Sequence, residues 1–90
     1  MYRREIIRNL DFVRETAHGL DYWSDVTPAE WAAGNAIGRD IAAQVIHFMR
    51  KMGDPVLGFR VSTDIVRKPV SPSILAGWCF GISTALITGR

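Results

Sequence analysis

The sequence predicts an all-α protein, a small bundle of about four helices that packs around an uncharged C-terminal helix. Three observations predict this class. Glycine and proline divide the chain into four segments of helical length, apolar residues recur within them at spacings of three and four, and two segments begin with a hydroxyl residue followed by proline. We expect the 90 residues to form one domain, and two copies to form a homodimer.

The composition indicates a folded domain and narrows the function classes. Apolar residues make up 48% of the chain and include three Trp, which excludes intrinsic disorder. The single cysteine excludes a disulfide within the chain and a zinc site built on paired cysteines. The net charge is only +2, because residues 1–45 carry five basic and seven acidic side chains and residues 46–90 carry six and two. We interpret this asymmetry as a source of attraction between the two halves.

The first segment, residues 2–18, predicts an amphipathic helix. Its apolar positions are separated by steps of four, four, three and four, which keeps them on one helix face. These positions are Tyr2, Ile6, Leu10, Val13 and Ala17. Gly19 is the expected stop, because helices often end at a glycine in the left-handed conformation.

The second segment, residues 28–52, carries helix signals at both ends. Thr27 to Glu30 form a capping box with proline at the first helical position, and Gly53 follows two cations. A helix of this length measures about 37 Å, so we expect it either to kink at its glycines or to be covered by a second copy. The predicted buried stripe is Trp31, Gly34, Gly38, Ile41, Val45, Phe48 and Met52.

The third segment, residues 55–67, is compatible with a helix or a strand. Asp54-Pro55 resembles a helix start, and Leu57, Val61 and Ile65 share one helix face. The same stretch is rich in β-branched residues that alternate with others. We favour a helix, because a strand here finds a partner only in its own copy across a dimer axis.

The fourth segment, from Ser71-Pro72 to Thr88, predicts a helix without charge on any side. Such a helix belongs at the centre of a core or in an interface. The uncharged stretch extends over residues 69–89, but ten of these residues are Gly, Pro, Ser or Thr. Its two prolines leave a helix of about 25 Å, which is shorter than a bilayer core. We therefore do not expect a membrane span.

Two pairs of glycines at a spacing of four lie in the second and fourth segments: Gly34 with Gly38, and Gly77 with Gly81. Small residues at this spacing let two helix backbones approach closely. A glycine inside a helix costs about 1 kcal/mol relative to alanine, so close packing is the expected compensation. Either the two helices cross within one chain, or at least one pair packs against another chain.

The tryptophans are the main candidate contacts with a partner. Trp31 and Trp78 lie in the glycine-bearing helices, where they belong to the core or to an interface. Trp23 lies in the loop before the second segment and is either a lid over the core or an anchor for a partner. The predicted partner or dimer interface is Trp23, Trp31, Gly34, Gly38, Gly77, Trp78 and Gly81.

The sequence predicts no catalytic, cofactor-binding or metal-binding residues. Glu15 and His18 have the spacing that di-metal bundles use, but it occurs only once. Cys79 lies in an uncharged segment, unlike a reactive thiolate. We expect His47 to be solvated. An enzyme would need a pocket between subunits, with candidate polar groups at Asn35, Arg39 and Asp40.

We therefore expect a small, non-enzymatic regulatory or inhibitory protein that docks an apolar, Trp-containing helical surface onto another protein. The alternative is a small helical regulator that binds nucleic acid through scattered bases such as Arg4, Arg8 and Arg60; a membrane-associated protein or a subunit-interface enzyme ranks lower. We expect neither nucleic acid nor membrane as a partner. A cytoplasmic location is predicted, because the lone cysteine suits a reducing compartment and the N-terminus has no secretory h-region.

Overall fold

A computed structural model describes residues 7, 9–17, 19–23, 28, 30–67 and 70–88. In chain order the elements are strands β1 (Arg14–Thr16) and β2 (Gly19–Asp21), and helices α1 (Trp31–Met52), α2 (Val56–Arg67) and α3 (Pro72–Thr88). The described residues are thus mostly helical, which confirms the broad fold class. The two-stranded sheet was not predicted, and neither a fourth helix nor a dimer is established.

The helix predicted over residues 2–18 is wrong for residues 9–17, which form turns and a strand; Ile7 is helical, and residues 1–6, 8 and 18 lie outside the described residues. Two successive turns close with bonds from Leu10 N to Ile7 O and from Val13 N to Leu10 O, at 3.1 and 3.0 Å. These turns bury Val13 and partly bury Leu10 without continuing into a helix. The spacing of Leu10 and Val13 therefore reflects burial in two turns rather than one face of a helix.

An antiparallel hairpin follows these turns, with Arg14 opposite Asp21 and Thr16 opposite Gly19. Gly19 has a φ of 122°, a backbone conformation that side chains with a Cβ rarely adopt. The Thr16 hydroxyl donates to the Gly19 carbonyl at 2.8 Å, and opposite charges face each other across the strands. Gly19 thus opens β2 instead of ending a helix.

Helix α1 begins three residues later than predicted. Glu30 is its N-cap residue, in an extended conformation and without a side-chain capping bond, and its carbonyl accepts from Gly34 N at 3.3 Å. The end is as predicted: Gly53 is left-handed, with φ 63° and ψ 34°, and its N–H donates to Met49 O. At about 33 Å, α1 fits within the longest dimension of the molecule, 38 Å, so neither a kink nor an overhang is needed.

The third segment is a helix, as favoured. The Asp54 carboxylate accepts from Val56 N at 2.8 Å, so Asp54 caps α2 with Pro55 in the first turn. Leu57 and Val61 are almost completely buried against α1 and the rest of the core. Helix α3 begins at Pro72 as predicted, where Ser71 O accepts from Leu75 N at 3.0 Å.

Helices α1 and α3 form the main packing unit. The turns and the hairpin that precede α1, together with α2, enclose the remaining core around Tyr22, Trp23, Phe48 and Ile74. Within the described residues, no helix combines the length and the apolarity needed to cross a membrane.

Candidate docking surface

The four glycines of the predicted interface lie where α1 and α3 pack against each other within one chain. A Cβ at Gly38 would meet the backbone of Ile74 and Trp78, and a Cβ at Gly77 would meet the backbone of Asn35 and Arg39. The contacts advance along both helices in the same order, so α1 and α3 run in the same direction.

The outer glycines continue this crossing. A Cβ at Gly34 would meet the Ser73 hydroxyl, and a Cβ at Gly81 would lie 2.6 Å from the Ala42 Cβ. The sequence left open whether the glycine pairs pack within one chain or against another chain. In the structure they pack within one chain. These glycines hold the fold together, and their backbones are covered by the chain itself.

Two of the three tryptophans belong to the core. Trp23 donates from Nε1 to the Val61 carbonyl at 3.0 Å, and its ring meets Trp78 edge-on with centroids 5.2 Å apart. Both side chains are buried, so Trp23 is a lid over the core.

Trp31, in contrast, is 61% exposed, so its predicted place in the buried stripe of α1 is wrong. The reason is register. Gly34 already faces Ser73 at the start of α3, and Trp31 lies almost one turn before this contact. Helix α3 therefore does not extend far enough to cover it.

The second half of α3 is the largest departure from the expected central helix. Ser73, Ile74, Gly77 and Trp78 are buried, but Phe80, Leu86 and Ile87 are 57%, 79% and 86% exposed. Cys79 is exposed on the same helix with a free thiol. A helix that is apolar on every side can bury only one side in a small molecule, and here the other side faces solvent. We call Cys79, Phe80, Ser83, Leu86 and Ile87 the outer face of α3.

Two threonine hydroxyls beside this face are bonded to the helix itself. Thr84 Oγ1 donates to Phe80 O at 2.9 Å, and Thr88 Oγ1 donates to Thr84 O at 3.0 Å. Because these donors have partners within α3, covering the helix with another apolar surface would not leave them without a hydrogen bond.

Two grooves lie beside the C-terminal half of α3 and share Ile46, Arg50 and Ala85. The first has a volume of about 350 Å³ and extends to Asp54 and Pro55 at the start of α2. The second, of about 430 Å³, lies between α1 and α3. We call the second one the α1–α3 groove. Its α1 side carries Arg39, whose guanidinium carbon lies 5.6 Å from the centre of the Phe80 ring.

The residues considered as candidates for catalysis do not lie around a common site. Asp40 accepts from Gln44 at 2.9 Å on the surface, whereas Arg39 lies over Phe80. His18 of the considered metal pair lies outside the described residues, and no group of three metal-ligating side chains occurs among those described. Arg60 is exposed on α2, while Arg4 and Arg8 lie outside the description.

Comparisons with protein-family models, with curated proteins and with solved structures found no match. The candidate docking surface is therefore inferred only from the residues of this chain and their exposure. Sequence reasoning did not single out Phe80, Leu86 or Ile87, although a signal was present. A helix of 17 residues without charge has more apolar surface than a 90-residue chain readily covers.

Proposed function

We propose that this protein is a small, non-enzymatic regulatory or inhibitory protein that acts by binding another protein through the outer face of α3. The single observation that carries the proposal is the exposure of Phe80, Leu86 and Ile87 on a helix without charged residues. Isolated exposed apolar side chains are ordinary, but a cluster of large ones on one uncharged helix is typical of an interaction site.

The energetics of this face favour association. Burying an exposed Leu or Ile side chain completely stabilises a complex by about 1.5–3 kcal/mol. No charged group of α3 has to lose its hydration, and Thr84 and Thr88 keep their intrahelical hydrogen bonds. These contributions act against the loss of rotational and translational freedom on binding.

Trp31 is the tryptophan that is exposed enough to contact a partner, since Trp23 and Trp78 are buried in the core. It lies level with the start of α3, because Gly34 faces Ser73 and the helices run in the same direction. Leu86 and Ile87 lie near the other end of α3, about 24 Å away along the axis. A partner that touches both ends needs an elongated contact surface.

In the absence of a target protein, the same face supports a homodimer. In an antiparallel arrangement of two α3 helices, with the twofold axis near Cys79 and Phe80, each Trp31 lies level with Leu86 and Ile87 of the other copy. An uncharged face is free of like-charge repulsion when it meets itself across such an axis. The exposed thiol of Cys79 also suits the reducing cytoplasm that we propose as the compartment.

The test uses the native Cys79 as the attachment site of a photoactivatable crosslinker. The wild type, the Leu86→Ser/Ile87→Ser variant and the matched control Phe59→Ser are compared, since Phe59 is a 69% exposed aromatic residue on α2. Besides the crosslink between two copies of this chain, we expect one dominant crosslink to a different protein, which is identified by mass spectrometry and reconstituted with purified components. The crosslink should disappear in the double variant and persist in the control. An identical crosslinking pattern in all three proteins would contradict the proposal.

A further inference from the structure

The α1–α3 groove combines an uncharged floor with a basic edge. The floor consists of half-buried residues from both helices: Ile46, Gly81 and Ala85. The edge is formed by exposed side chains of α1: Arg39, His47 and Arg50. None of the residues that line this groove is acidic.

Arg39 and Arg50 are placed to act together. They are three turns apart on one side of α1, which corresponds to about 16 Å. Arg39 is held over the Phe80 ring, so part of its side-chain freedom is already lost before any partner binds. Arg50 is exposed at the other end of this edge, where its guanidinium is accessible to a partner.

The shape of the groove selects among anionic partners. It is a shallow, open groove between two helices, with a volume of about 430 Å³. A third helix can place one row of apolar side chains between two helices in this way. A flat bilayer surface reaches such a floor less well, and a nucleic-acid backbone has no apolar groups to place on it.

We propose that the α1–α3 groove binds an acidic amphipathic helix of the target protein. The apolar stripe of that helix packs on Ile46, Gly81 and Ala85, and its carboxylates pair with Arg39 and Arg50. This inference rests on the proposed function, and it adds the chemistry of the partner. It also predicts that recognition combines packing on the floor with electrostatic selection at the edge.

The experiment uses a synthetic helical peptide of about 16 residues, with leucine at positions i, i+4, i+7 and i+11 and glutamate on both sides of this stripe. A matched peptide carries lysine instead of glutamate. Binding of fluorescently labelled peptide to the full chain is measured by anisotropy at low and high salt. We expect the acidic peptide to bind, the lysine peptide to bind at least about tenfold more weakly, and added salt to weaken the acidic complex.

The Arg39→Gln/Arg50→Gln variant tests the assigned edge. We expect its affinity for the acidic peptide to fall about tenfold, whereas the control Arg60→Gln, which removes an exposed arginine from α2, keeps wild-type affinity. Equal binding of the two peptides, or equal affinity of the double variant and the wild type, would overturn the assignment. Binding to vesicles of anionic lipid that depends on both arginines, without peptide binding, would also overturn it in favour of a membrane surface.

The outcome separates this inference from the function on which it rests. If the acidic peptide does not bind while the Cys79 crosslink still depends on Leu86 and Ile87, the inference fails and the proposed function stands. If the peptide binds as expected but the crosslink is insensitive to both residues, the groove stands and the outer face of α3 is not the docking surface.

Discussion

Replacing Gly38 with alanine should destabilise the protein, although alanine is the better helix former. In Gly38→Ala the new Cβ would meet the Ile74 carbonyl oxygen and lie 2.6 Å from Trp78 N. Both are backbone atoms inside α3, so relief requires the whole helix to move away by close to 1 Å. Overpacking of this kind costs about 1–3 kcal/mol, and we expect the upper end because no side chain can rotate aside.

Gly58→Ala provides the matched control. Gly58 is also inside a helix, but its new Cβ would lie 2.7 Å from Met49 Sδ and 3.0 Å from Met49 Cε, at the flexible end of a side chain. Both substitutions gain about 1 kcal/mol of helix propensity. We therefore expect Gly38→Ala to lose about 2 kcal/mol, and Gly58→Ala to be neutral or more stable by up to about 1 kcal/mol.

Thermal unfolding followed by circular dichroism, together with urea titration, measures this difference. For a domain of this size, about 2 kcal/mol corresponds to a decrease in Tm of roughly 8–16 °C. If Gly38→Ala were as stable as Gly58→Ala, the close approach of α1 and α3 would be refuted. The Gly34→Ala variant with Ser73→Gly adds an internal check, because removing the Ser73 side chain should restore part of the stability that Gly34→Ala alone loses.

Three further substitutions test other parts of the molecule. Trp23→Phe removes the buried bond to the Val61 carbonyl and should cost about 1–2 kcal/mol in urea unfolding, whereas Trp31→Phe at an exposed site should cost nothing measurable. Asp54→Ala removes the cap of α2 and should cost about 1 kcal/mol, with Asp54→Asn retaining most of it. Leu86→Ser/Ile87→Ser should leave the free energy of unfolding of the monomer within about 0.5 kcal/mol per site of the wild-type value while weakening self-association, and a large loss of stability at a concentration where both proteins are monomers would indicate that these side chains are buried in the chain itself.

Local signals predicted the ends of the helices well where a short backbone motif decides them. Gly53 ends α1, Asp54 caps α2 and Ser71-Pro72 begins α3, each by a hydrogen bond within a few residues. The start of α1 was misplaced, because its N-cap is Glu30; Thr27, where the predicted capping box begins, lies outside the described residues.

The other predictions failed or stayed open because they depend on packing between residues that are far apart in the sequence. The spacing of Leu10 and Val13 fits a helix and also fits two successive turns, and only the tertiary environment distinguishes them. The glycine pairs indicated close helix packing, yet the sequence does not state whether the second helix belongs to the same chain. Likewise, the uncharged composition of α3 does not reveal which side is covered, so Trp31 was placed inside and Leu86 was overlooked.

Solution mass is the most direct measurement on the outer face of α3. Light scattering on a sizing column, over a wide range of protein concentrations, compares the wild type with Leu86→Ser/Ile87→Ser and with the control Phe59→Ser. We expect wild type and control to approach twice the chain mass of 10.1 kDa as concentration rises, and the double variant to remain near 10.1 kDa. A wild type that stays at 10.1 kDa at every concentration, or a double variant that dimerises as the wild type does, would contradict the assignment of this face as the surface through which two copies associate.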